Sequence, residues 1–231
     1  MEIIFVRHGE PGWGVQGVNV PNPELTSRGH EQAQRAARRL AEGPYPPTEI
    51  LVSPRTRSME TAAPLVEITG IAAQTVLDLE EIRMPDWTGR PEEEVQRIFA
   101  AARHRPVAEW WDGLPGGESF HAFHDRVSAA MTAVLADRGV RPAADGGGHL
   151  WEVEEKDHRD HRIAVVAHAG TNSTALSYLL GIEPTPWEWE RFILGHASIA
   201  RVRTIPLVGS HVFSLRAFND QEHLPKAIRT R

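Results

Sequence analysis

The chain has 231 residues, with 31 Asp and Glu against 25 Lys and Arg, a net charge of -6 and no cysteine. That balance offers no general attraction for nucleic acid or an anionic membrane surface, so any anion site must be local. The lack of thiols excludes disulfides, thiolate catalysis and Cys-ligated zinc or iron–sulfur centres. One domain over residues 1–231 is expected from the length. No basic leader, small-residue cleavage site or long apolar span is visible, which predicts a soluble cytoplasmic protein.

Ile3, Ile4, Phe5 and Val6 form an unalternated apolar run, as suits a strand buried on both faces in a parallel sheet. Arg7 and His8 follow at its carboxyl end. After a Gly- and Pro-rich loop from Gly9 to Pro23, Ala33, Ala36, Ala37 and Leu40 keep helical spacing, with Thr26 or Ser27 as the cap. A second strand over 48–54 ends at Ser53 and Pro54 and leads into a helix that Gly70 stops. A third short strand is expected over 73–79, and Pro91 is placed to begin a helix through Ile98 and Phe99. A longer helix from Glu118 to Arg138 carries Phe120, Phe123, Val127, Met131 and Val134 on one face.

Residues 141–162 break this pattern with Gly, acidic residues and histidines and read as a surface excursion. His149, His158 and His161 suggest a metal cluster on identity alone, but their composition suits a solvated loop. The run from Arg162 to Gly170 repeats the opening design, an apolar strand and then His168, followed by a helix from about Thr171 to Leu180. Residues 199–205 and 211–218 alternate as an antiparallel pair at one sheet edge, where Val212 and Phe213 would permit homodimer formation by edge pairing. Alternating strands and helices predict an α/β fold, a three-layer α/β/α sandwich with a mostly parallel central sheet and an antiparallel edge strand. In such sheets the loops at the carboxyl ends of strands form the ligand crevice. His8, Arg57 and His168 all follow predicted strands.

Arg7-His8-Gly9 says little alone. It is accompanied, in order, by SPRTRSMETA after the second strand, EIRMPDWTG, PGGES before the long helix and VVAHAG late in the chain. Together, from residue 2 to about residue 205, these resemble the histidine phosphatase superfamily, the phosphoglycerate mutase-like proteins. The resemblance implies a phosphoglycerate mutase-like fold and a phosphatase that hydrolyses a small-molecule phosphate monoester through a phosphohistidine. By position, His8 is then the nucleophile and Arg7 and Arg57 bind phosphate. Glu81, six positions before Trp87 and eight before Gly89, is the acid/base group. His168 is the second catalytic histidine and a phosphate ligand. Gly117, Glu118, Ser119 and Arg126 match a structural segment, and Arg55 reads as helix-start charge.

The chemistry of these residue types fits those roles. Two guanidiniums donate paired hydrogen bonds to phosphoryl oxygens. Phosphoryl transfer needs mainly positioning and electrostatics, so neither metal nor cofactor is expected. His8 must attack as neutral imidazole, which nearby cations favour, with its other nitrogen bonded to a carbonyl. His168, if cationic or donating, would add charge stabilisation.

Pro11 and Gly14 stand where the family commonly has a hydroxyl and an Asn. Asn172 either supplies a replacement donor to phosphate or caps a helix. Ile82, Arg83, Met84 and Pro85 replace the mutases' Arg-Tyr-Gly continuation, favouring a phosphatase over a mutase, in which Arg83 and Arg105 would meet a carboxylate. A catalytically inactive phosphate-binding protein is the third reading. Trp110, Trp111, Trp187 and Trp189 either wall a pocket or fill core. Arg35, Arg38 and Arg39 read as a solvent face.

Overall fold

The computed structural model describes residues 1–15, 18–144, 150–154 and 160–231. The opening apolar run forms β1 (Glu2–Arg7), buried over Ile3 to Val6. Its Ile3 and Phe5 enter one apolar cluster and its Ile4 and Val6 another, so helices must cover both faces. A small hairpin follows, β2 (Gly14–Val15) and β3 (Val18–Asn19). Helix α1 (Ser27–Ala41) begins where Thr26 accepts the Gly29 N–H at 3.0 Å, and it presents Ala33, Ala36, Ala37 and Leu40 to the core. Arg35, Arg38 and Arg39 are exposed, as expected.

Strand β4 (Glu49–Val52) and helix α2 (Thr56–Thr69) come next; Gly70 closes the helix at φ 71°. The third strand, β5 (Ala73–Thr75), is shorter than expected, because residues 77–79 form a 3₁₀ turn. Helix α3 (Glu92–Ala102) starts directly after Pro91, and α4 (Phe120–Ala136) after Ser119, whose side chain accepts the Ala122 N–H at 3.1 Å. The rest comprises β6 (Val140–Pro142), β7 (Trp151–Val153), β8 (Arg162–Ala167), α5 (Ala169–Leu179), the single turn α6 (Glu188–Arg191), β9 (Ile199–Leu207) and β10 (Ser210–Asp220). Helices α1 and α2 pack with Ile4 and Val6, whereas α4 and α5 pack with Ile3 and Phe5.

The main sheet runs β5-β4-β8-β1-β9-β10-β7-β6. It is not mostly parallel. Three of its pairings are parallel, β5–β4, β4–β8 and β8–β1, and four are antiparallel. The expected antiparallel edge pair lies inside the sheet: β9 runs beside β1, and β10 meets β7 at His211. Hairpins need no crossover helix, so the late strands extend the sheet by simple reversal. The Phe213 side chain is buried in this sheet, and β10 meets β7 only at its start. The stretch expected as a surface excursion supplies β7, because Trp151 is an apolar anchor, 1% exposed, packed edge-on to Tyr178 and Phe213. His149 and His158 lie outside the described residues, and His161 pairs with Glu49 at 3.0 Å. Among the described residues no helix is long and apolar enough to cross a membrane.

Candidate active site

The parallel half of the sheet puts the carboxyl ends of β1, β4 and β8 side by side. His8, Ser53 with Arg57, and His168 each leave one of those ends, and the His8 and His168 ring centroids are 5.2 Å apart. His8 is tied into the sheet on both sides, its N–H donating to Ala167 and its carbonyl accepting from Ala197. The turn then presses against α1: a side chain on Gly9 would come 2.6 Å from the Gly29 carbonyl oxygen, so only glycine fits. Thr61 of α2 joins the two motifs, accepting the Gly9 N–H at 2.9 Å and donating to the Arg57 carbonyl at 2.6 Å.

The His8 Nδ1 lies 2.7 Å from the Gly9 carbonyl oxygen, which can only accept, so Nδ1 carries the proton and Nε2 keeps its lone pair. Burial, then the charges of Arg57, His168 and Arg7, push the ring well below the ordinary 6.5. His168 is likewise pushed well below it, by burial and then by Arg57, Arg55 and Arg7. Its Nε2 is 2.7 Å from Ser53 Oγ, while Nδ1 has no partner.

Arg57 is buried and Arg7 half-buried, and the groups that hydrogen-bond Arg7 are neutral. Arg7 donates to the Leu194 carbonyl at 2.5 Å and to His196 Nε2 at 3.0 Å, leaving Nε unpartnered. Arg57 has Nε and Nη1 unpartnered and lies 4.7 Å from the centroid of the Trp13 ring. Burial lowers each to about 10, against the opposing pull of Glu81. Glu81 is held by backbone: its Oε2 accepts the Gly170 N–H at the start of α5, and its Oε1 its neighbour's, both at 3.0 Å. Arg126 fixes the loop before it, donating to the carbonyls of Asp78 and Glu80 while pairing with Glu118. That is the structural role expected of this segment.

Asn172 sits in the first turn of α5, and the cap position is His168. Asn172 thus caps nothing, and both its amide atoms are buried without a partner. Arg55 pairs with Glu80 at 2.7 Å. Arg83 also pairs with Glu80, and Arg105 bonds the carbonyls of Gly113 and Glu109. Beside Arg7 opens a cavity of about 180 Å³, lined by Ala169, Trp189, Glu190, Ile193, Leu194 and Arg231. Trp189 thus walls a pocket, while Trp187 packs on Phe120 and Trp111 stacks on His121. Among the described residues, no three His, Asp or Glu are grouped to hold a metal ion.

Sequence reasoning missed Trp13 and His196. An aromatic stranded in a Gly- and Pro-rich loop was a usable signal for the first. For the second there was none, since its place depends on β9 pairing with β1.

The profile of the histidine phosphatase superfamily (branch 1) matches residues 3–143, more than half of the chain. The chain belongs to this superfamily. A PE-PGRS family protein of Mycobacterium tuberculosis is 44% identical over 84 residues, 35% of this chain and 14% of that protein. An acid phosphatase of the same organism is 27% identical over 141 residues, covering 60% of this chain and 66% of the relative. The chain therefore spans less than two thirds of either. Its glucosyl-3-phosphoglycerate phosphatase is 29% identical over 192 residues, covering 80% and 78%. Mutase-like proteins match as well. Among solved structures, a mycobacterial glucosyl-3-phosphoglycerate phosphatase with VO3 shares the fold at a TM-score of 0.70 and 24% identity, over 94% of this chain and 98% of the other.

Proposed function

We propose that this histidine phosphatase hydrolyses a small phosphate monoester in the cytoplasm through a phosphohistidine on His8. One observation carries the reading: among the described residues the guanidiniums of buried Arg57 and half-buried Arg7 have no carboxylate partner, and both raise the positive potential at a histidine whose Nε2 is free. A buried cation left this way is costly until an oxyanion supplies the missing acceptors. Arg7 and Arg57 take the phosphoryl oxygens, with His168 and Asn172 offering further polar atoms that have no partner of their own.

His8 Nε2 attacks phosphorus and the ester P–O bond breaks; Glu81 in its acid form gives the alkoxide its proton. Water then attacks the phosphohistidine, Glu81 takes a proton, the P–N bond breaks and phosphate leaves. The two arginines stabilise the charge in both steps, and no metal or cofactor enters. Mutase chemistry is less favoured, because Arg83 and Arg105 are engaged within the protein.

Phosphate release from sugar phosphates, phosphoglycerates, nucleotides and an aryl phosphate, measured in the presence of EDTA, tests the reading. Turnover with His8→Ala inactive, and phosphate trapped on His8 by rapid quenching, is expected. No turnover on any ester by folded wild type favours the phosphate-binding reading, and activity undiminished in His8→Ala would sink the mechanism.

A further inference from the structure

His196 lies directly before β9, buried, with its ring centroid 5.6 Å from that of His8. The Arg7 guanidinium has only donors, so its Nη2 donates and His196 Nε2 accepts, at 3.0 Å. The proton of the neutral ring is therefore on Nδ1, which donates to Thr230 Oγ1 at 2.8 Å. Thr230 Oγ1 also accepts from Gln32 Nε2 at 2.9 Å, and Gln32 Oε1 accepts the Glu10 N–H at 2.8 Å. The Thr230 carbonyl accepts the His196 N–H at 3.0 Å, fixing the same segment a second time. A directed set of bonds thus links the backbone two residues past His8, helix α1, the segment at Thr230 and the guanidinium of Arg7.

The chemistry of the acceptor matters. A carboxylate at this place would orient Arg7 but cancel its charge. The Leu194 carbonyl and a neutral imidazole orient it and leave the charge for a ligand. Burial, then Arg7 and Arg57, lower His196 to about 3, so it remains an acceptor across ordinary working conditions.

We propose that His196 is a positioning residue for Arg7 and that Thr230, by accepting the Nδ1 proton, holds the ring in place, so that the guanidinium keeps both its aim and its full charge for a phosphoryl oxyanion. The proposal rests on the reading of this crevice as a phosphate site. It concerns how that site binds, which can be measured without turnover.

The test is calorimetric binding of orthovanadate to wild type, His196→Leu, His196→Gln, Thr230→Val and Thr230→Ser, with KM and kcat alongside. Gln keeps an acceptor where Nε2 stood, and Ser keeps the hydroxyl. His196→Leu and Thr230→Val are expected to weaken vanadate binding and raise KM by about tenfold, the scale of one hydrogen bond to a charged group. His196→Gln and Thr230→Ser are expected to stay near wild type. Thr230 is half-exposed whereas His196 is buried, so the Thr230 variants read the proposal even if His196→Leu does not fold. Wild-type affinity in Thr230→Val, or equal losses in His196→Gln and His196→Leu, would overturn it. Wild type that binds vanadate yet cleaves no ester would count against the phosphatase reading alone, and the variant comparison would still decide this one.

Discussion

Among the described residues no carboxylate pairs with half-buried Arg7 or buried Arg57, and this sets the character of the crevice. Burial first and then these cations push His8 well below its ordinary 6.5, and the Gly9 carbonyl gives it the tautomer the proposed nucleophile needs. Glu81 is the one catalytic candidate whose role depends on the leaving group. Glu81→Gln is expected to lower kcat on an alkyl phosphate about 10²–10⁴-fold, the usual worth of general acid catalysis. An aryl phosphate, whose phenolate leaves without a proton, should still phosphorylate His8 and then stall, because water is no longer activated. Quench-flow on both esters checks this, and equal losses with no accumulated phosphohistidine would remove Glu81 from the proton path. His8 and His168 were legible in the sequence because each follows an apolar strand, and Arg57 because it opens the helix after one. His196 was not, since 189 positions separate it from the Arg7 it holds and only the folded sheet closes that distance.

At the level of elements, the site is a junction of three parallel strand ends with the amino ends of α2 and α5. Helix α5 contributes through its backbone: the Gly170 N–H is one of its unpaired first-turn donors, and a carboxylate is well placed there. A Cβ at Gly170 would collide with Glu81 Oε1 and come 2.9 Å from Trp189 Cε3. Gly170→Ala is therefore expected to displace Glu81 and lower kcat by at least about tenfold, on the scale of a misplaced catalytic group. Vanadate affinity should change little, since Arg7 and Arg57 are untouched. Steady-state kinetics with vanadate inhibition separates the two effects, and an unchanged kcat would show that Glu81 does not need this donor. Helix boundaries around the site were readable from local signals, Thr26 as a cap and Gly70 as a stop. The Arg126 clamp on the Glu80 loop was readable only as a motif, because its partners are carbonyls and a carboxylate from other segments.

Across the whole molecule, local pattern identified most strands but misplaced their neighbours. Residues 199–218 alternate as a half-exposed hairpin would, yet β9 lies against β1, since Trp151 brings a further strand pair to the far side of β10. The composition around Trp151 resembles a loop, and a single buried indole outweighs it. The same burial shapes the response to acid. His8, His168 and His196 are all held below the ordinary 6.5, by burial first and by the arginines next. As the pH falls through about 6.5, the unfolded chain takes up protons that the folded chain refuses, so stability drops. His211 and His223 are lowered by burial too and add to the same fall. Glu49, lowered by its bonds to Arg138, adds a loss in the same direction further down, as the pH falls below its ordinary 4.5. Urea unfolding at pH 7.5, 6.5 and 5.5 should show a nearly level stability followed by a steep fall. His196→Gln should make that fall shallower, because one of the contributing rings is removed. A level profile down to pH 5.5 would mean that the folded chain protonates these rings as readily as the unfolded one, and the neutral His8 ring on which the proposed attack depends would be lost.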